Sequence, residues 1–214
     1  MGNHFLETEP VVLRRPPENS PNATPSHWEE PVLEFRTYPC RSEELKALAG
    51  EVRRNLSLDG LVAAREILVV VLGTGRDGRN LERETAEFLL RSGVDVFVPS
   101  ALRLNDLRPR YPSNDPDRFW HDGGVTVSGI HRAKGNEAEM VHVVGLDKVA
   151  EREGDEKARN QLFAALTRSR SWARLTGVGS HPFYDEVRRV LESGDTFRFA
   201  REGGIRGFFK SLFG

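Results

Sequence analysis

His131, Lys134, Gly135 and Glu137 stand together in a polar loop between two apolar runs, Val125 to Ile130 and Met140 to Leu146. Strand, charged loop, strand is an uneconomical way to join two buried elements unless the loop handles something. Glycine permits close backbone approach, and a carboxylate can accept from a hydroxyl. A second cluster follows at Arg159-Asn160-Gln161-Leu162-Phe163-Ala164-Ala165-Leu166-Thr167-Arg168-Ser169-Arg170. At helical spacing Gln161, Ala164 and Arg168 share one face, so a small alanine leaves room beside the arginine. Leu162, Ala165 and Leu166 form the face expected to be buried. A fixed guanidinium can neutralise charge growing on phosphoryl oxygens without itself titrating.

These residues need a scaffold, and the pattern from Val32 onward alternates strand and helix. Val32 to Tyr38 reads as a strand. Ser42 is an N-cap candidate for a helix with Leu45, Leu48, Ala49, Val52 and Leu56 on one face. Ile67 to Leu72 is an unbroken β-branched and leucine run, as a strand covered on both faces should be. A helix over about Arg79 to Ser92 and a strand at Val94 to Val98 follow, then the two apolar runs of the polar loop. The pattern then predicts a helix over Glu156 to Trp172, a strand at Ala173 to Val178 and a helix from Pro182 to Glu192. The fold class is α/β, a mostly parallel sheet flanked by helices. Residues 1–31 are rich in proline and read as an extended or disordered arm, residues 32–194 as the domain, and 195–214 as a phenylalanine-, glycine- and base-rich tail. Residues 99–124 read as a surface connection. The tail phenylalanines, Phe197, Phe199, Phe208, Phe209 and Phe213, are expected to pack on the domain or a neighbour rather than stack bases.

Composition narrows the class. The chain has 214 residues, 31 basic against 32 acidic, so bulk charge points to no nucleic-acid partner and any such contact must be local. The single Cys40 excludes an intrachain disulfide and a cysteine-built metal site, and no metal is expected. No apolar run reaches the ~20 residues of a membrane span, and the N-terminus has no signal-peptide core. The expectation is a cytoplasmic protein without membrane contact.

Two nucleotide motifs bear on the function. Gly73, Gly75 and Gly78 spell G-x-G-x-x-G, but the following strand ends in Val98, Pro99 and Ser100 without the acidic residue that holds a ribose. The loop reads as a flexible glycine turn and implies no cofactor. Nowhere does G-x-x-x-x-G-K-[ST] occur, so no loop can cradle β- and γ-phosphates with Mg²⁺.

The polar loop and the arginine cluster together resemble motifs V and VI of the superfamily 1 helicases, the UvrD/Rep/PcrA-like group. The motif V pattern, Thr-x-His-x-x-Lys-Gly-x-Glu, matches at His131, Lys134, Gly135 and Glu137; motif VI matches at Leu166, Thr167 and Arg168. The resemblance implies a RecA-like (P-loop NTPase-like) C-terminal domain lacking its own P-loop. It implies that Gly135 and Glu137 lie beside the nucleotide, that Arg168 is the arginine finger, and that Ser128, His131, Arg132 and Lys134 contact a nucleic-acid backbone. Gly129 replaces the family threonine, so a hydroxyl contact must move to Ser128 or be lost, and Asn136-Glu137-Ala138 replaces Leu-Glu-Phe. Motif IV, with its Tyr-Arg pair, is not identified, and only residues 99–124 occupy the place of the accessory domain in larger relatives. The implied partners are single-stranded nucleic acid, DNA favoured, and an N-terminal P-loop domain in cis or trans that holds most of ATP and Mg²⁺. Such a chain is expected to be a fragment, split-gene product or truncated relative, inactive alone. The rival expectation is a helicase-derived module that binds nucleic acid or a partner without turnover.

Overall fold

In the computed structural model the described elements are β1 (Val11–Arg14), β2 (Leu33–Tyr38), α1 (Arg41–Ser57), β3 (Ile67–Val71), α2 (Gly75–Arg91), β4 (Val96–Phe97), β5 (Val125–Gly129), α3 (Ile130–Ala133), β6 (Ala138–Val144), α4 (Asp147–Ala150), α5 (Glu156–Leu166), β7 (Ser169–Val178), α6 (Pro182–Glu192) and β8 (Thr196–Phe199), with a short irregular turn at Ala63–Glu66 leading into β3. The structure describes residues 11–14, 31–99, 118–193 and 196–199. Expectations for the rest of the proline-rich arm, for most of the 99–124 connection and for the tail phenylalanines' packing lie outside what is described. Two units divide the chain: residues 24–185, and residues 1–23 with 186–214. In the second unit β1 and β8 pair antiparallel, Val11 opposite Phe199 and Arg14 opposite Thr196.

The larger unit is built on a six-stranded sheet in the order β2-β7-β6-β3-β5-β4, all neighbours parallel. β3 lies between β5 and β6 and is buried at every residue, which explains its unbroken apolar run. Its Ile67, Val69 and Val71 meet Leu45, Leu48, Ala49 and Val52 of α1 and Leu81, Ala86 and Leu89 of α2 in one core. By strand alternation Leu68, Val70, Val141 and Val143 face the other side, where α3 and α5 touch the sheet. The expected α/β class with a mostly parallel sheet is the one found.

Several boundaries differ, each for a local reason. α1 begins at Arg41 with Cys40 as its cap residue, and Ser42 lies inside the first turn. Ion pairs from Arg41 to Glu44 and Asp147 anchor that turn instead. α2 starts at Gly75 rather than Arg79 because the glycine turn is wound into its first turn, Gly78 N–H donating to Thr74 O at 3.2 Å. A Cβ on Gly78 would stand 2.8 Å from the carbonyl of Gly73, so the glycine spacing has a packing cause, backbone laid on backbone. β4 is only Val96–Phe97. α5 ends at Leu166, not Trp172, because residues 169–172 are claimed by pairing with β6, Ala138 opposite Ser169 and Met140 opposite Trp172.

Candidate functional site

Because β5 and β6 are both parallel to β3, the segment between them must travel from the carboxyl edge of the sheet back to its amino edge. Gly129 stands level with Val71 and Met140 level with Ile67, so the crossing covers the length of β3, ~13 Å at a strand's rise per residue. His131 therefore belongs to the carboxyl edge, and Glu137 to the amino edge. α3 makes the turn, anchored by buried Ile130 and Ala133 while His131 and Arg132 are exposed. Ala133 O accepts from Asn136 N–H at 3.0 Å, and Gly135 between them has φ +86°, which glycine adopts without a steric penalty. Lys134, Gly135 and Glu137 are exposed, and nothing stands within 4 Å of where a Gly135 Cβ would lie.

Ser128 behaves differently from expectation. β5 is an inner strand covered on both faces, so Thr126 and Ser128 are both 0% exposed. The Ser128 hydroxyl donates to Gly129 O at 3.2 Å, so in this arrangement it has no access to a nucleic-acid backbone.

α5 carries the second cluster. Asp155 caps it, its carboxylate accepting from Lys157 N–H at 2.9 Å. Its buried residues are Ala158, Gln161 and Ala165; of the expected face Ala165 is buried, whereas Leu162 and Leu166 are half-buried. Gln161 turns inward because its Oε1 accepts from Gly73 N–H at 3.1 Å, which satisfies both polar groups. Arg168 lies past the helix end and folds back over it. Its Nε donates to Ala164 O at 3.0 Å and its Nη2 to Thr167 Oγ1 at 3.2 Å. These acceptors are neutral, and among the described residues Arg168 makes no ion pair. Ala138 N–H donates to Arg168 O at 3.0 Å. That bond sets the end of the loop after α3 beside the end of α5 and brings Gly135, Glu137 and Arg168 to one edge of the sheet.

The carboxyl edge is organised by carboxylates that the sequence reading did not single out. Glu44, 0% exposed, accepts from Thr176 Oγ1 at 2.6 Å, from Gly145 N–H at 3.3 Å and from Arg41. Burial raises its pKa above the usual carboxylate range, with Arg41 pulling the other way. Arg41 also reaches Asp147 at 2.6 Å, and Asp147 accepts from Val178 N–H at 3.3 Å. Glu82 accepts from Gly129 N–H at 2.9 Å. The available signal was a polar residue within an apolar helical stripe: Glu44 beside Leu45 and Leu48, Glu82 beside Leu81, Ala86 and Leu89, Gln161 between Ala158 and Ala165. Deeper in the sheet, His142 Nε2 lies 2.8 Å from Asn55 Oδ1. Burial, helped by nearby Arg174, pushes its imidazole down to about 3, so it is neutral and Nε2 carries the proton toward Asn55.

Comparison with known proteins falls on the same segment. Residues 124–176 match the UvrD-like helicase C-terminal domain. The match runs from β5 into β7 and includes Ser128, His131, Arg132, Lys134, Gly135, Glu137 and Arg168, so the resemblance read from the sequence is borne out over this helicase-type segment. In fold, the chain is similar to the C-terminal domain of a possible DNA helicase from Lactobacillus plantarum WCFS1, with a TM-score of 0.51 and 16% identity over 71% of this chain and 76% of that one. No curated protein matches. Among the described residues no helix is long and apolar enough to cross a membrane.

Proposed function

We propose that this helicase-derived domain serves as the C-terminal half of an ATP-dependent superfamily 1 helicase or translocase acting on single-stranded nucleic acid, DNA favoured. A P-loop RecA-like domain, in cis or in trans, holds most of ATP and Mg²⁺. Arg168 supplies the arginine finger, Gly135 and Glu137 border the nucleotide, and His131, Arg132 and Lys134 contact the strand. The observation that carries this reading is the 3.0 Å bond from Ala138 N–H to Arg168 O, which gathers the open glycine, the exposed carboxylate and the arginine on one edge. The opposite edge supports it from the other direction. A P-loop domain cradles phosphates with amides at a strand end, whereas here Gly73 N–H is already taken by Gln161. Bound ATP supplies the phosphoryl group that passes to water. Arg168, held over Ala164 by its Nε, would turn its remaining donors to that group as the two domains close.

The test combines the chain with a P-loop RecA-like domain and measures ATP hydrolysis with and without Arg168→Ala. The expected result is a fall in kcat of at least ~10³-fold with nucleotide affinity largely kept. Hydrolysis at the parental rate would remove Arg168 from the mechanism. The chain by itself is expected to hydrolyse no ATP above background, and robust turnover would overturn the half-motor reading.

A further inference from the structure

Helix α2 is bonded to both motifs. At its start, Gly73 N–H donates to Gln161 Oε1 of α5 at 3.1 Å, and Thr74 Oγ1 accepts from Arg152 Nη1 at 3.0 Å. Gly78 lies directly on Gly73, too close for any Cβ, so the loop and the first turn of the helix cannot move independently. The next turn carries Glu82, whose Oε1 accepts from Gly129 N–H at 2.9 Å. Gly129 is the residue from which α3 springs with His131 exposed. Glu82 and Gln161 are each 7% exposed, so both bonds are shielded from water.

We propose that α2 is the mechanical link between helix α5, which leads into Arg168, and the His131-bearing turn α3, with Gln161 and Glu82 as the two positioning residues. Rotation or translation of α5 as Arg168 engages a nucleotide pulls on Gly73 through Gln161. The Gly73–Gly78 contact passes that displacement to α2, and Glu82 delivers it to Gly129 and hence to His131. The inference rests on the functional reading of Arg168 and His131. The hydrogen-bonded route itself can be tested without it.

The measurement is amide hydrogen exchange by NMR on the full chain, residue by residue, with Val69–Val71 of the sheet as the control for global stability. Gln161→Leu is expected to speed exchange at Gly129–Ala133 by about fivefold, whereas Gln161→Glu, which keeps an acceptor, stays near the parent. Glu82→Leu should give a comparable acceleration, Glu82→Gln should restore protection, and the Glu82→Leu/Gln161→Leu double variant should exchange no faster than Glu82→Leu alone. If Gln161→Leu disturbs only Gly73–Gly75, or if the two leucine variants act additively at Gly129–Ala133, the link through α2 is wrong. Should Gln161→Leu fail to fold, Arg152→Ala, on an exposed side chain, loosens the same helix start and must speed the same amides; no change there also refutes the link. A fluorescein-labelled oligothymidylate is titrated in parallel. Absence of binding by the parent would refute the strand-contact role of His131 while leaving the exchange result to decide the link.

Discussion

At the carboxyl edge of the sheet four backbone amides at or beyond strand ends are each taken by a side-chain oxygen from elsewhere in the fold: Gly73 by Gln161, Gly129 by Glu82, Gly145 by Glu44 and Val178 by Asp147. At the amino edge of β6 and β7 the polar side chains are placed otherwise. Gly135 faces open space, Glu137 is exposed, and among the described residues the Arg168 side chain bonds to a carbonyl and a hydroxyl and makes no ion pair. The same sheet thus has one edge whose strand-end amides are capped from within the fold, and another where Glu139 is held by Ser171 and Arg170 while, among the described residues, Gly135, Glu137 and Arg168 are left without an ionic or capping role. A doubly wound sheet ordinarily takes ligands beyond the carboxyl ends of its strands. Here those amides are internally capped, which turns the nucleotide reading toward the amino edge and leaves exposed His131, at the turn after β5, for the strand.

That contrast can be broken at either edge. The largest effect is expected from Arg168→Ala, where the loss falls on turnover and not on folding. Its Tm should stay close to that of the parent, because the bonds lost are to neutral, partly exposed acceptors. A Tm loss as large as the one at Arg41 would mean that Arg168 is a structural group like those of the other edge. Arg41→Ala should do the reverse, stranding Glu44 and Asp147 without their shared cation. Removing one partner of such a buried pair costs about 3–5 kcal/mol, read as a lowered denaturation midpoint, with Lys148 near Asp147 reducing the loss.

A smaller effect comes from pH. His142 titrates near 3 when folded but at the ordinary histidine value when unfolded, so below ~6.5 the unfolded chain takes up a proton that the native chain refuses. Stability on this account is full above that value and falls as pH drops toward the folded pKa, by about 2 kcal/mol near pH 5. Glu44, whose pKa is raised on folding, works in the opposite direction. The check is therefore the difference in Tm between neutral and mildly acidic buffer for the parent and for His142→Gln, whose dependence on pH should be flatter. An equal slope in both would show that His142 is not the group responsible.

The fold class was legible because its strongest signals are local: the unbroken run at Ile67–Val71 and the stripe Leu45, Leu48, Ala49, Val52 each require a covered sheet. The motif spacing likewise placed Gly135, Glu137 and Arg168 in one segment, and residues 124–176 match the helicase family. What escaped was set by distant partners. The end of α5 depends on β6 claiming residues 169–172, which no periodicity within the helix reveals. The polar anchors join positions far apart in sequence, Arg41 to Asp147 and Gln161 to Gly73. Ser128 is expected as a contact because it is the hydroxyl next to Gly129, where the family has threonine, yet its strand is internal and its hydroxyl turns to its own backbone.

The division of labour between the edges is tested most directly by the oligonucleotide dependence of ATP hydrolysis in the two-domain assembly. His131→Ala should raise the oligonucleotide concentration needed for half-maximal stimulation while leaving the maximal rate near the parent's. Arg168→Ala should lower the maximal rate and leave that concentration unchanged. If both substitutions move the same parameter, the two edges do not serve separate ligands and the account is wrong.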